Sequence, residues 1–165
     1  MITLLGIPVL ALIVILQSAV ISRLNVSYGT ADLVLLVLIA WALQAPNKKV
    51  LWWALTGGIL VSLITATPFI AIISGYVLVT YLASSLKRRL WNIPILTMVL
   101  ASFIGTIITL FIDYLSINVL MTSLPFFESF VKVVLPSCAL NMFIGIPIFL
   151  ITKDIVDSLY PVETI

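Results

Sequence analysis

Apolar residues run along this chain in long unbroken blocks, and polar residues gather at the breaks between them. Crossing ~30 Å of hydrocarbon takes about 20 apolar residues in a helix, with a range of about 17 to 25. By that ruler the pattern predicts six helical segments, over residues 3–21, 31–45, 50–66, 68–86, 93–115 and 130–152. The breaks fall at 22–30, at Pro46-Asn47-Lys48-Lys49, at Thr67-Pro68, at Lys87-Arg88-Arg89 and across 116–129, each carrying Pro, Gly, Asn or a charge cluster. The second segment is short for a span. It either extends back into residues 24–30 or packs against protein and not lipid. No connection is long enough to hold a soluble unit, and the longest, 116–129, has room for a short interfacial helix at most. The fold class expected is therefore all-α, an integral membrane bundle of about six transmembrane helices forming a single domain over residues 1–165.

Composition strengthens that reading. Of 165 residues, 63% are hydrophobic and 8% charged, and the mean hydropathy is +1.34, against roughly half apolar and a quarter charged in ordinary soluble chains. Eight Lys plus Arg and six Asp plus Glu cannot cover the third of its surface that a soluble domain of this size leaves in water. The net charge of +2 gives no reason to expect nucleic acid as a partner. Cys138 stands alone in an apolar run and the chain has no histidine, so disulfides and the usual zinc sites are not expected, and no cofactor is implied. The first block lacks a basic leader and a small-residue cleavage signature and is too long for a signal-peptide core, so it is expected to be a retained first helix.

The basic residues give an orientation. Lys48, Lys49, Lys87, Arg88 and Arg89 fall in the second and fourth connections, which six spans place on one side, and basic loops face the cytoplasm. Both termini are then cytoplasmic as well. Trp52, Trp53 and Trp91 follow the basic clusters as interfacial anchors should, with Tyr28, Tyr114, Phe126 and Phe127 marking the opposite interface.

Three sets of residues are candidates for a role beyond spanning. Ala54, Gly58, Ser62 and Ala66 recur every fourth position, as do Ala101, Gly105 and Thr109; such stripes let two helices approach closely, either within the bundle or against a partner. Asp32 and Asp113 lie near the outer ends of their segments, where a charge costs a few kcal/mol. With Arg23 as an available cation and Glu128 and Lys132 at i, i+4, they form a candidate outer polar cluster, structural or ligand-binding. An aspartyl dyad of Asp32 and Asp113 is the one enzymatic constellation the residues permit, but the paired Gly-Asp or Asn-Asp signatures of intramembrane aspartyl peptidases are missing, and no catalytic residue is assigned. Asn141, mid-segment between Pro136 and Pro147, is expected either to satisfy a backbone carbonyl freed by a proline in a bent last helix or to line a polar pocket at the break.

The run Gly29-Thr30-Ala31-Asp32-Leu33-Val34-Leu35-Leu36 with Trp41-Ala42-Leu43, the run Gly57-Gly58-Ile59-Leu60 leading to Thr67-Pro68, and the Tyr76 to Tyr81 stretch together resemble the rod-shape-determining MreD family, over roughly residues 1–90. The sequence departs from that family at Ser62, where many members carry an aspartate. The resemblance implies a non-enzymatic scaffold of the bacterial elongation machinery in the inner membrane. It would associate with the transmembrane helix of MreC, and through that complex with MreB and the peptidoglycan synthases, alongside membrane lipids and open to homo-oligomerisation. It also implies a fold similar to the substrate-binding subunits of energy-coupling-factor transporters. Such a vitamin-binding subunit is the alternative function, although Ala11 and Ala19, with Ile15 between them, do not give its usual Ala-xxx-Ala docking pattern.

Overall fold

The computed structural model describes residues 2–19, 29–44, 50–89, 93–120 and 125–159. The described chain is helical: α1 (Ile2–Ala19), α2 (Leu33–Gln44), α3 (Val50–Ser62), α4 (Phe69–Arg89), α5 (Pro94–Leu120), α6 (Phe126–Ser129), a π-helical turn (Phe130–Val134) and α7 (Leu135–Leu159). The last three run on without a break as one rod. Three stretches are long and apolar enough to cross a membrane, Phe69–Lys87, Pro94–Val119 and Phe126–Ser158, and Gly6–Ala19, Leu33–Gln44 and Val50–Ser62 are shorter apolar helices.

The organising element is the short one. The α2 sequence LVLLVLIAWALQ has no polar face, and a helix that is apolar all round belongs in an interior. Its 12 residues give only about 18 Å at ~1.5 Å per residue. Val34, Leu35, Leu36, Leu38, Ile39 and Ala40 are completely buried, and α2 touches α1, α3, α4, α5 and α7. Of the two options left by its length, packing against protein is the one realised. The other helices are apolar outward as well as inward: Ile15, Leu63, Phe69, Ile95, Phe111 and Phe143 are among the large side chains left exposed. That surface suits lipid and not water.

Both ends of α2 are tied by side chains from elsewhere. At its carboxyl end Lys87 Nζ donates to the Gln44 carbonyl at 3.0 Å, and Gln44 Nε2 donates to the Phe149 carbonyl at 2.8 Å. A cation on the last carbonyls of a helix answers both their unmet hydrogen bonding and the negative end of the helix dipole.

Several expectations are revised by this arrangement. Trp52 is exposed, but Trp53 is not an interfacial anchor: it stacks on Trp41 at 4.5 Å and is buried. Gly6 permits this, since a methyl group there would lie 2.5 Å from the Trp53 ring. Tyr28 and Trp91 lie outside the described residues. The fifth helix continues past the expected 115 to Leu120 and the last rod begins at Phe126, so most of the expected 116–129 connection is helix. The π turn comes just before Pro136, which has no N–H to donate to the Lys132 carbonyl four residues back; the local widening falls where the regular ladder is interrupted.

Candidate functional site

The amino-terminal end of α2 begins inside the bundle, and the physical problem there is four backbone N–H groups without helical partners. Asp32 is the N-cap. Its Oδ1 accepts the Leu35 N–H at 3.0 Å, and its carbonyl accepts the first helical bond, from Leu36 N at 3.1 Å. The Val34 N–H is taken by Gln17 Oε1 of α1 at 3.1 Å. Upstream, Thr30 N donates to Ser137 Oγ at 3.1 Å, and Asp32 N donates to Asn141 Oδ1 at 2.9 Å. Gly29 lies directly on α7, where a methyl group would sit 2.5 Å from Pro136 Cβ and 2.8 Å from the Ser137 nitrogen. Only glycine admits that approach.

Side chains extend this into a network across four helices. Tyr76 Oη of α4 donates to Asp32 Oδ2 at 2.6 Å. Asn141 Nδ2 of α7 donates to Thr106 Oγ1 of α5 at 2.8 Å, and that hydroxyl donates in turn to the Ser102 carbonyl at 2.7 Å. Tyr76, Thr106, Ser137 and Asn141 are all 3% exposed or less, and a hydrogen bond between such buried groups is electrostatically stronger than one in water.

Beside the network lies a cavity of about 150 Å³ walled by Thr30, Asp32, Tyr76, Thr109, Asp113 and Ser137, among others. That is room for about five water molecules at ~30 Å³ each. Asp113 reaches it from α5, close enough for its charge and that of Asp32 to oppose each other. Two carboxylates and several hydroxyls lining a hollow at bundle depth are suited to hold a cation or a hydrogen-bond donor. Among the described residues no group of three or more His, Cys, Asp or Glu comes together as metal ligands do.

The expected outer polar cluster is thus divided. Asp32 and Asp113 share the cavity. Glu128 and Lys132 pair with each other at 3.9 Å, with both side chains more than half exposed, a contact worth at most about 1 kcal/mol in an exposed setting, and neither lines the cavity. Arg23 lies outside the described residues. Asn141 bonds across to α2 and α5, not to a carbonyl of its own helix.

The expected stripe on α3 is also shortened. Ala54 and Gly58 are buried, Ser62 bonds back to the Ile59 carbonyl at 2.7 Å, and Ala66 lies beyond the helix end and is exposed. Gly58 meets α4 so closely that a methyl group there would stand 3.0 Å from Ile73 Cα. Replacing Gly58 with leucine should therefore destabilise the bundle by about 1–3 kcal/mol through overpacking, read as a lowered melting temperature in detergent. Ile59→Leu, at a position 49% exposed, should leave it unchanged. The second stripe is complete: Gly105 faces Val79 of α4, and Thr109 faces Gly75.

The fold and site define a class: a helical bundle fit for a multi-pass membrane protein, built around a buried half-length helix with a polar cavity at its start. No protein-family model, curated protein or solved structure matches the chain.

Proposed function

We propose that this chain is a non-enzymatic scaffold of the bacterial elongation machinery, of the MreD kind, crossing the inner membrane six times with both termini in the cytoplasm. It acts by packing its helices against the transmembrane helix of MreC. The observation that supports this most is how the half-buried Asp32 carboxylate is used. Both Asp32 oxygens accept hydrogen bonds, from the Leu35 N–H and from Tyr76 Oη, that hold α2 in place, which is an architectural task. The test is co-expression with MreC and purification in mild detergent. The two proteins are expected to co-elute in constant ratio, and elution of this chain alone at MreC concentrations above those in cells would refute the scaffold reading.

One observation favours a second reading, the substrate-binding subunit of an energy-coupling-factor transporter: the cavity walled by Asp32, Tyr76 and Asp113 lies where six spans put the outer face. A water-soluble vitamin retained through purification, with transporter ATPases encoded nearby in place of MreB and MreC, would decide for it.

A further inference from the structure

A second hollow adjoins the polar cavity. It is a groove of about 430 Å³ between α5 and the last rod, walled by Phe111, Tyr114, Ile117, Phe126, Phe130 and Val133. Tyr114 meets Phe126 edge-on at 5.5 Å, and Phe126 lies 6.2 Å from Phe130. The far wall is the π turn, a departure from regular helix that recurs at functional sites. The groove and the polar cavity share Thr67, Leu110 and Asp113, so Asp113 stands where a polar chamber gives way to an aromatic trough. Together the two volumes fall within the ~300–1,000 Å³ typical of ligand sites.

The chemistry of the junction selects the occupant. Asp113 accepts no hydrogen bond and pairs with no basic side chain among the described residues, whose one ion pair is Glu128 with Lys132. The Asp32 charge nearby adds to the negative field. A carboxylate at membrane depth costs a few kcal/mol unless a cation or water meets it. An anionic headgroup would be repelled by both carboxylates, and an apolar tail by itself would leave the chamber's hydroxyls unanswered. A partner helix, roughly 10 Å across, cannot enter a chamber holding about five waters. We infer that the joined cavities hold one membrane lipid with a primary-amine headgroup, its ammonium against Asp113 in the polar chamber and an acyl chain in the aromatic groove. The phosphate then stays one ethylene unit outward of the amine, beyond the carboxylates. This inference stands on the cavities and does not depend on which protein partner the bundle docks.

The test uses the full chain reconstituted in vesicles of equal phosphatidylethanolamine and phosphatidylcholine, re-extracted in mild detergent, with the co-purifying lipid measured. Wild-type protein should carry phosphatidylethanolamine at roughly threefold or more over its share of the bulk. Asp113→Asn should bring the ratio back to bulk, and Asp113→Glu should retain the enrichment. Ile117→Trp, which fills the groove and leaves Asp113 in place, should lower the amount of bound lipid; it carries the test if Asp113→Asn does not fold. A bulk lipid ratio on the wild type, an enrichment unaltered in folded Asp113→Asn, unaltered lipid in folded Ile117→Trp, or a polypeptide recovered in the groove in place of lipid would each overturn the inference.

Discussion

Replacing Asp32 with alanine should lower the melting temperature of the bundle far more than replacing it with asparagine. Alanine removes the N-cap of α2, a loss of about 1 kcal/mol, and the charged hydrogen bond from Tyr76 Oη, a loss of about 1.5–3 kcal/mol. It also takes from that phenol and from the Leu35 N–H the acceptor each has in the folded bundle. Asparagine keeps an oxygen for the Leu35 N–H, and its amide can donate to the Tyr76 oxygen with the proton direction reversed. The expected order of stability is wild type, then Asp32→Asn within about 1 kcal/mol, then Asp32→Ala about 3 kcal/mol below. Thermal unfolding followed by circular dichroism in one detergent measures it. Equal stability of the alanine variant and the wild type would mean that the 2.6 Å Tyr76 contact does not hold the helix.

Asn141→Ala should be the other severe change. The side chain is 1% exposed and supplies the acceptor for the Asp32 N–H and a donor to Thr106 Oγ1. Truncation orphans the first and deprives the second, at about 1–3 kcal/mol for an unmet buried group, with a cavity term added. Thr106→Val alone breaks one of those two bonds. The pair should therefore be non-additive, the double variant being less unstable than the sum by roughly 1 kcal/mol. Strict additivity in the same unfolding assay would show that the two residues do not communicate across the α5–α7 interface.

The elements were legible in the sequence because long apolar runs announce themselves, and each of the six expected segments overlaps a helix of the structure, three of them long and apolar enough to cross a membrane. The ends were less legible. Helix α5 runs on through Ser116 and Asn118, residues that read as loop by polarity, because Asn118 Nδ2 and Ser116 Oγ bond back to carbonyls four residues earlier, at 2.9 Å each, and so carry their polarity inside the helix. The site was half legible. Asp32 and Asp113 stood out as charges in apolar surroundings, but their partners did not, since Tyr76, Thr106 and Ser137 are ordinary residues in apolar helices. One signal was present: Ser102, Thr106, Thr109 and Asp113 follow one another at spacings of four, three and four, which puts them on a single face of α5. Trp53 was misplaced because proximity to a basic cluster does not distinguish the two adjacent tryptophans, whereas helical phase does: only one of them points at Trp41.

The way α2 is held has a bearing on how the chain is made. Its amino-terminal end depends on Gln17, Tyr76, Ser137 and Asn141, and its carboxyl end on Lys87 and the Phe149 carbonyl. Three of those partners lie on the last helix, 105 to 109 residues downstream. While α3 to α5 are still being synthesised, the Leu35 and Val34 N–H groups can already bond Asp32 and Gln17, but the Thr30 and Asp32 N–H groups lack the acceptors that α7 supplies. The seating of α2 is then expected to be completed only once α7 is made, and a chain cut short before residue 137 is expected to lack three of the ties that hold it.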